Sequence, residues 1–142
     1  MTGASEWAPA FSPDRRWLAF VSDEQGRPQV YVRSYPDADQ KLAISLDGGT
    51  EPAWSSAGEL FFLQGGTMMR AMFDPATGTR GQPVALFEAF AIPGSYGSTN
   101  YDIADDGRFL MVLADERPVT TKLRVPLNWF EELKQQVPTG GR

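Results

Sequence analysis

The sequence reads as an all-β chain: three repeated antiparallel units of four-stranded type, followed by a short C-terminal helix. Three observations predict this. Fourteen Gly and eleven Pro are scattered through 142 residues between short apolar runs, the distribution of many short strands joined by turns. The same grammar occurs three times: a short strand, a polar turn, then a nearly continuous apolar strand. The repeats also recur at comparable steps, with Phe11 to Trp54 separated by 43 residues and Trp54 to Ile103 by 49.

The first unit opens with Pro9-Ala10-Phe11-Ser12-Pro13-Asp14 and continues as Trp17-Leu18-Ala19-Phe20-Val21. An apolar run without alternation reads as a strand covered on both faces. Glu24 to Pro28 is a hairpin turn, Gln29 to Arg33 an alternating third strand, and Lys41 to Ser45 a fourth. Asp47-Gly48-Gly49 turns into the second unit, where Pro52-Ala53-Trp54-Ser55 precedes the strand Leu60 to Leu63. Thr67 to Phe73 and Pro83 to Phe87 supply its other strands, with Asp74-Pro75-Ala76-Thr77-Gly78 as the turn between them. The third unit keeps Tyr101-Asp102-Ile103-Ala104, the turn Asp105 to Arg108 and the strand Phe109 to Leu113, with Thr121 to Leu127 as a third strand. Asn128 to Val137 has an N-cap, acids in its first turns and Trp129, Leu133 and Val137 at four-residue spacing, so it reads as a helix stopped by Pro138.

Units of about 40 to 50 residues with four strands each have the period of β-propeller blades. The expected blades span about 8–46, 51–88 and 99–127, with the helix at 128–137. The Phe-Ser-Pro-Asp at 11–14 and the Asp-Gly-Gly-Thr-Glu-Pro-Ala-Trp-Ser at 47–55 resemble the PD40, or WD40-like, repeats of TolB-type six-bladed propellers. The tail from Leu127 to Lys134 resembles the end of propellers fused behind bacterial Ser/Thr kinase-like or TolB-like proteins. Arg15 stands where the family's first turn has glycine, and Ser56-Ala57 where it has Pro-Asp. The resemblance implies half of a six-bladed propeller and a sensor or protein-interaction role outside the cytoplasm. Kinase motifs are absent from the sequence.

Propellers close with about four to eight blades. Three blades leave the outer faces of the first and third uncovered, an apolar area beyond what a monomer usually exposes. The expected partner is therefore a second copy, as a two-fold homodimer closing a six-bladed ring. Trp7, Phe11 and Trp17 are the candidate inter-chain contacts.

Composition narrows the function. Acids outnumber bases by 18 to 13, which disfavours nucleic acid as a partner. No apolar run approaches the length of a membrane span, and Met1 to Ala10 lacks the pattern of an export signal. With neither histidine nor cysteine, catalytic relays and thiolate or imidazole metal sites are excluded. Gly94-Ser95-Tyr96-Gly97 is accordingly a loop and not a nucleophile elbow. Asp14 and Asp106 read as turn caps; no metal, cofactor or catalytic residue is expected. Trp17 and Trp54 read as packing residues between blades. Tyr96, Asn100 and Tyr101, at or just before an innermost strand, are the candidate ligand-binding residues at the channel end.

The sequence thus points to a non-catalytic recognition or scaffold module, with a peptide or protein as a further partner. A propeller enzyme with two channel carboxylates is the alternative, and a structural fragment without ligand a third reading.

Overall fold

The computed structural model describes residues 3–89 and 98–113. They form an all-β fold of four antiparallel sheets, two with four strands and two with two. In the first sheet β1 (Glu6–Phe11), β2 (Trp17–Ser22), β3 (Gln29–Ser34) and β4 (Lys41–Ala43) pair in chain order. The second sheet repeats the pattern with β5 (Thr50–Trp54), β6 (Leu60–Gln64) and β7 (Thr67–Ala71). Its fourth strand comes after an excursion, the small hairpin β8 (Phe73–Asp74) and β9 (Thr79–Arg80), and is β10 (Val84–Glu88). Last comes the hairpin β11 (Tyr101–Ile103) and β12 (Phe109–Met111). The strand and helix expected at 121–137 lie outside the described residues. The expected long strand to Phe73 ends instead at Ala71, because the chain turns into the β8–β9 hairpin.

Why the units repeat is visible in the turn after each first strand. Arg15, Gly58 and Gly107 all donate their N–H to the carbonyl three residues earlier, on Ser12, Ser55 and Ala104, at 2.8–3.0 Å. All three have positive φ: +57°, +84° and +81°. Glycine adopts this conformation freely; Arg15 occupies it against the steric preference of an L-residue. Asp14 Oδ1 accepts from the Arg16 N–H at 3.1 Å and Asp106 Oδ1 from the Arg108 N–H at 3.2 Å, so both cap their turns as expected. The Ser12 and Ser55 hydroxyls accept the N–H groups of Trp17 and Glu59 at 3.0 and 3.1 Å.

The first turn is one residue longer than the others. Ser12 N–H bonds the Trp17 carbonyl, whereas Ser55 reaches Glu59 and Ala104 reaches Arg108, each at 2.8–2.9 Å. Across the turn, therefore, Leu18, Phe20 and Ser22 correspond to Leu60, Phe62 and Gln64, while Trp17, Ala19 and Val21 correspond to Glu59, Phe61 and Leu63. Since alternate residues of a strand face opposite sides, this register fixes the packing. Leu60, Phe62 and Ala71 join Trp17, Ala19, Val21, Val30 and Val32 in the core between the two large sheets. From the other face of the second sheet, Phe61, Leu63 and Met68 pack with Tyr101, Phe109 and Met111 of the hairpin. Each unit thus offers one face to the unit before and the opposite face to the unit after.

The first strands share a second feature. β1 bulges between Trp7 and Ala10 and β5 between Thr50 and Ala53. Ala8 and Glu51, 43 residues apart, take positive φ of +53° and +55° inside these bulges, each immediately before proline.

Candidate functional site

Two tryptophans clamp the large sheets together. Trp17, 5% exposed, donates its indole N–H to the Pro75 carbonyl at 3.0 Å and meets Phe73 edge-on at 5.0 Å between centroids. Trp54 donates in the reverse direction, to the Ala10 carbonyl at 3.1 Å, and also packs on Phe73. Both therefore pack between sheets, as the repeat positions require. Trp17 is buried within this chain, against the second sheet.

The second sheet and the hairpin are joined through Glu51. The Tyr101 hydroxyl donates to the Glu51 carbonyl at 2.6 Å, and Glu51 Oε2 accepts the Asn100 N–H at 2.8 Å. Burial and the nearby carboxylate push the Tyr101 phenol well above its ordinary pKa. Glu51 is the one buried carboxylate among the described residues. Sequence reasoning missed it; the signal was its place before Pro52, matching Ala8 before Pro9. Of the candidate ligand residues, Tyr101 is buried in this latch, Asn100 sits half-buried beside it, and Tyr96 lies outside the described residues.

The two ends of the array differ. At the first end, Phe11 occupies the position from which Trp54 and Ile103 pack on the preceding unit. It is 50% exposed, and among the described residues its ring contact is the equally exposed Tyr35, edge-on at 5.1 Å. Trp7 is half-buried against the core between the large sheets. Further along the same outer face, Phe20 and Tyr31 stack at 5.8 Å. On this part of the face the two rings are only 5% and 3% exposed. Lys41 Nζ stands 5.4 and 4.5 Å from their centroids, held by Glu24 at 2.5 Å, and Arg33 lies over Phe20 at 5.7 Å. Lys41 holds the Glu24 carboxyl below its ordinary range, and burial together with Glu24 raises the Tyr31 phenol.

At the other end, Leu110 and Val112 correspond to Phe61 and Leu63, which bury on the following unit. Here they are 78% and 55% exposed, and Asp102, paired with Leu110 across the hairpin, is exposed as well.

A third feature is a cleft of about 190 Å³ where the first two turns meet. It is lined by Ser12, Pro13 and Asp14 on one side, Ala57 and Pro75 on the other, and Trp54. Among the described residues, no three acids group closely enough to hold a metal ion, and no helix is long and apolar enough to cross a membrane.

These features define a class: a chain of antiparallel β units, each packed face to face on the next. No family model matches the chain, and no curated protein matches it. Among solved structures it is similar to TolB from Acinetobacter baumannii, with a TM-score of 0.42 and 18% identity. The match covers 80% of this chain and 39% of that one, so the chain spans about two fifths of the TolB length.

Proposed function

We propose that the chain is a non-catalytic β-propeller module for recognition and scaffolding, and that two copies close a six-bladed ring. Its blades are the units at about 8–46, 51–88 and 99–127, with a helix at 128–137. The observation that carries this reading is the pair of ends left unmatched among the described residues. Phe11 stands where a preceding unit would cover it, and Leu110 and Val112 stand where a following unit would bury them. A second copy supplies both, and only a closed arrangement satisfies every end at once. In such a ring β1, β5 and β11 line the channel, with Asn100 at the end where a peptide or protein would bind. Two facing carboxylates would support an enzyme; the buried acid on these strands, Glu51, instead holds the Asn100 amide.

Light scattering coupled to size exclusion, over a dilution series, tests the closure. A species at twice the 15.7 kDa chain mass is expected, reverting to one chain mass in Leu110→Glu. Since Leu110 is so exposed, that substitution leaves the fold of the single chain intact. A folded wild-type monomer persisting at the highest concentration sinks the proposal.

A further inference from the structure

The cleft between the first two turns has the size and chemistry of a socket for one side chain. Its volume of about 190 Å³ falls below the roughly 300–1,000 Å³ of pockets that take whole small molecules. Its walls are mainly apolar, from Trp54, Pro13, Pro75 and Ala57, with Ser12, Ser56 and Gly58 between them, and its rim carries the Asp14 carboxylate. Trp54 is fixed by its bond to Ala10, so the aromatic wall is preorganised. Asp14 is fixed too: Oδ1 takes the Ser12 hydroxyl at 2.6 Å and the Arg16 N–H at 3.1 Å, which leaves Oδ2 to meet a donor. Those two bonds hold its carboxyl below the usual range, so it is ionised at neutral pH.

We propose that this cleft binds a single cationic side chain, a lysine or arginine presented by a protein partner. The aliphatic stem lies along Trp54 and the prolines, and the charge sits between the indole face and Asp14. Long basic side chains bury their stems in this way while keeping the head group near water, and an aromatic face adds cation–π attraction. The overall charge of −5 favours the approach of a basic partner. The cleft lies within one chain, so the inference goes beyond ring closure and does not depend on it.

The test is an NMR titration of the ¹⁵N-labelled full chain, following the Trp54 indole and the 12–16 and 55–59 amides. The probes are N-acetyl-lysine methylamide and its neutral counterpart N-acetyl-norleucine methylamide. The lysine probe is expected to give saturable millimolar shifts confined to these signals, and norleucine to bind about fivefold more weakly, the scale of a solvent-screened charge pair. Asp14→Asn, which still accepts the Arg16 amide, is expected to abolish the difference between probes. Equal binding of the two probes to the wild-type chain, or no saturable shift with lysine, overturns the proposal. Should Asp14→Asn not fold, the probe comparison decides alone. Repeating the titration on Leu110→Glu separates this outcome from the fate of the ring.

Discussion

Gly78 lies at the tip of the β8–β9 hairpin, where the second sheet's excursion reaches Trp17 of the first sheet. A methyl group added there would come within 2.8 and 3.2 Å of the indole ring and 2.6 Å of Gln40 Oε1. Carbon atoms pack best at about 3.5–4.0 Å, so the ring would have to retreat by more than half an ångström. Gln40 is exposed and can swing aside; the indole cannot, being buried, bonded to Pro75 and wedged on Phe73. Overpacking of this kind costs about 1–3 kcal/mol. To this is added about 1–2 kcal/mol for an L-residue at φ +66°, less about 0.5–1 kcal/mol from the stiffer unfolded chain. Gly78→Ala should therefore destabilise by about 1–4.5 kcal/mol. Gly58→Ala is the matched control: its φ is +84° and nothing lies within 4 Å of the added methyl, so it carries the backbone part alone. In a chain of this size the difference corresponds to a Tm about 3–9 °C lower for Gly78→Ala. Thermal unfolding followed by tryptophan fluorescence measures it. Equal losses in the two variants would refute the claim that Trp17 is rigidly held. Full recovery in Gln40→Ala/Gly78→Ala would place the constraint on Gln40 instead.

Three other outcomes are expected. Arg15→Gly relieves a left-handed arginine with no loss of packing, since Arg15 is exposed, and should stabilise the chain by about 0.5–1 kcal/mol in urea unfolding. Tyr101→Phe removes the buried hydroxyl from the Glu51 carbonyl and should cost about 1–2 kcal/mol, with amide exchange quickening first in β11 and β12. The third outcome concerns acid. Asp14 is held below the ordinary carboxylate range chiefly by the Ser12 hydroxyl, and Asp74 chiefly by the Ala76 amide. A depressed folded-state pKa gives stability that is present above the unfolded value and lost as pH falls through the folded one. Tm should hold from pH 7 to about 5 and decline below about pH 4, with a shallower decline in Asp14→Asn/Asp74→Asn. An identical decline in the variant would show that these caps contribute nothing.

What the sequence made legible was whatever rests on local chemistry. The Ser12 and Ser55 turns, the doubly covered strands Trp17 to Val21 and Leu60 to Leu63, and the packing roles of Trp17 and Trp54 follow from turn residues and periodicity. The β8–β9 hairpin escaped because its strands are two residues long, too short for any period to register. Lys41 was legible as part of a strand but not as a roof, since its reach over Phe20 and Tyr31 depends on strand pairing with β3. The Glu51 latch was hidden for a similar reason. Its carboxylate is buried where a bulge turns the chain inward and the next unit brings an amide to meet it, and that amide, 49 residues away, is not encoded near position 51.

The extra residue in the first turn bears on how chains like this are compared. Counted at a fixed step of 43, Trp17 lines up with Leu60, and the two faces of the second strand change places. In space the insertion is absorbed in one loop, and the core side chains of the second strand keep the direction their counterparts have in the next unit. A repeat profile with rigid spacing would therefore score residues from opposite faces against one another and lose the likeness between neighbouring units. Alignment anchored separately on each strand recovers it. Consensus units built for grafting or for extending the array need the same freedom at that turn.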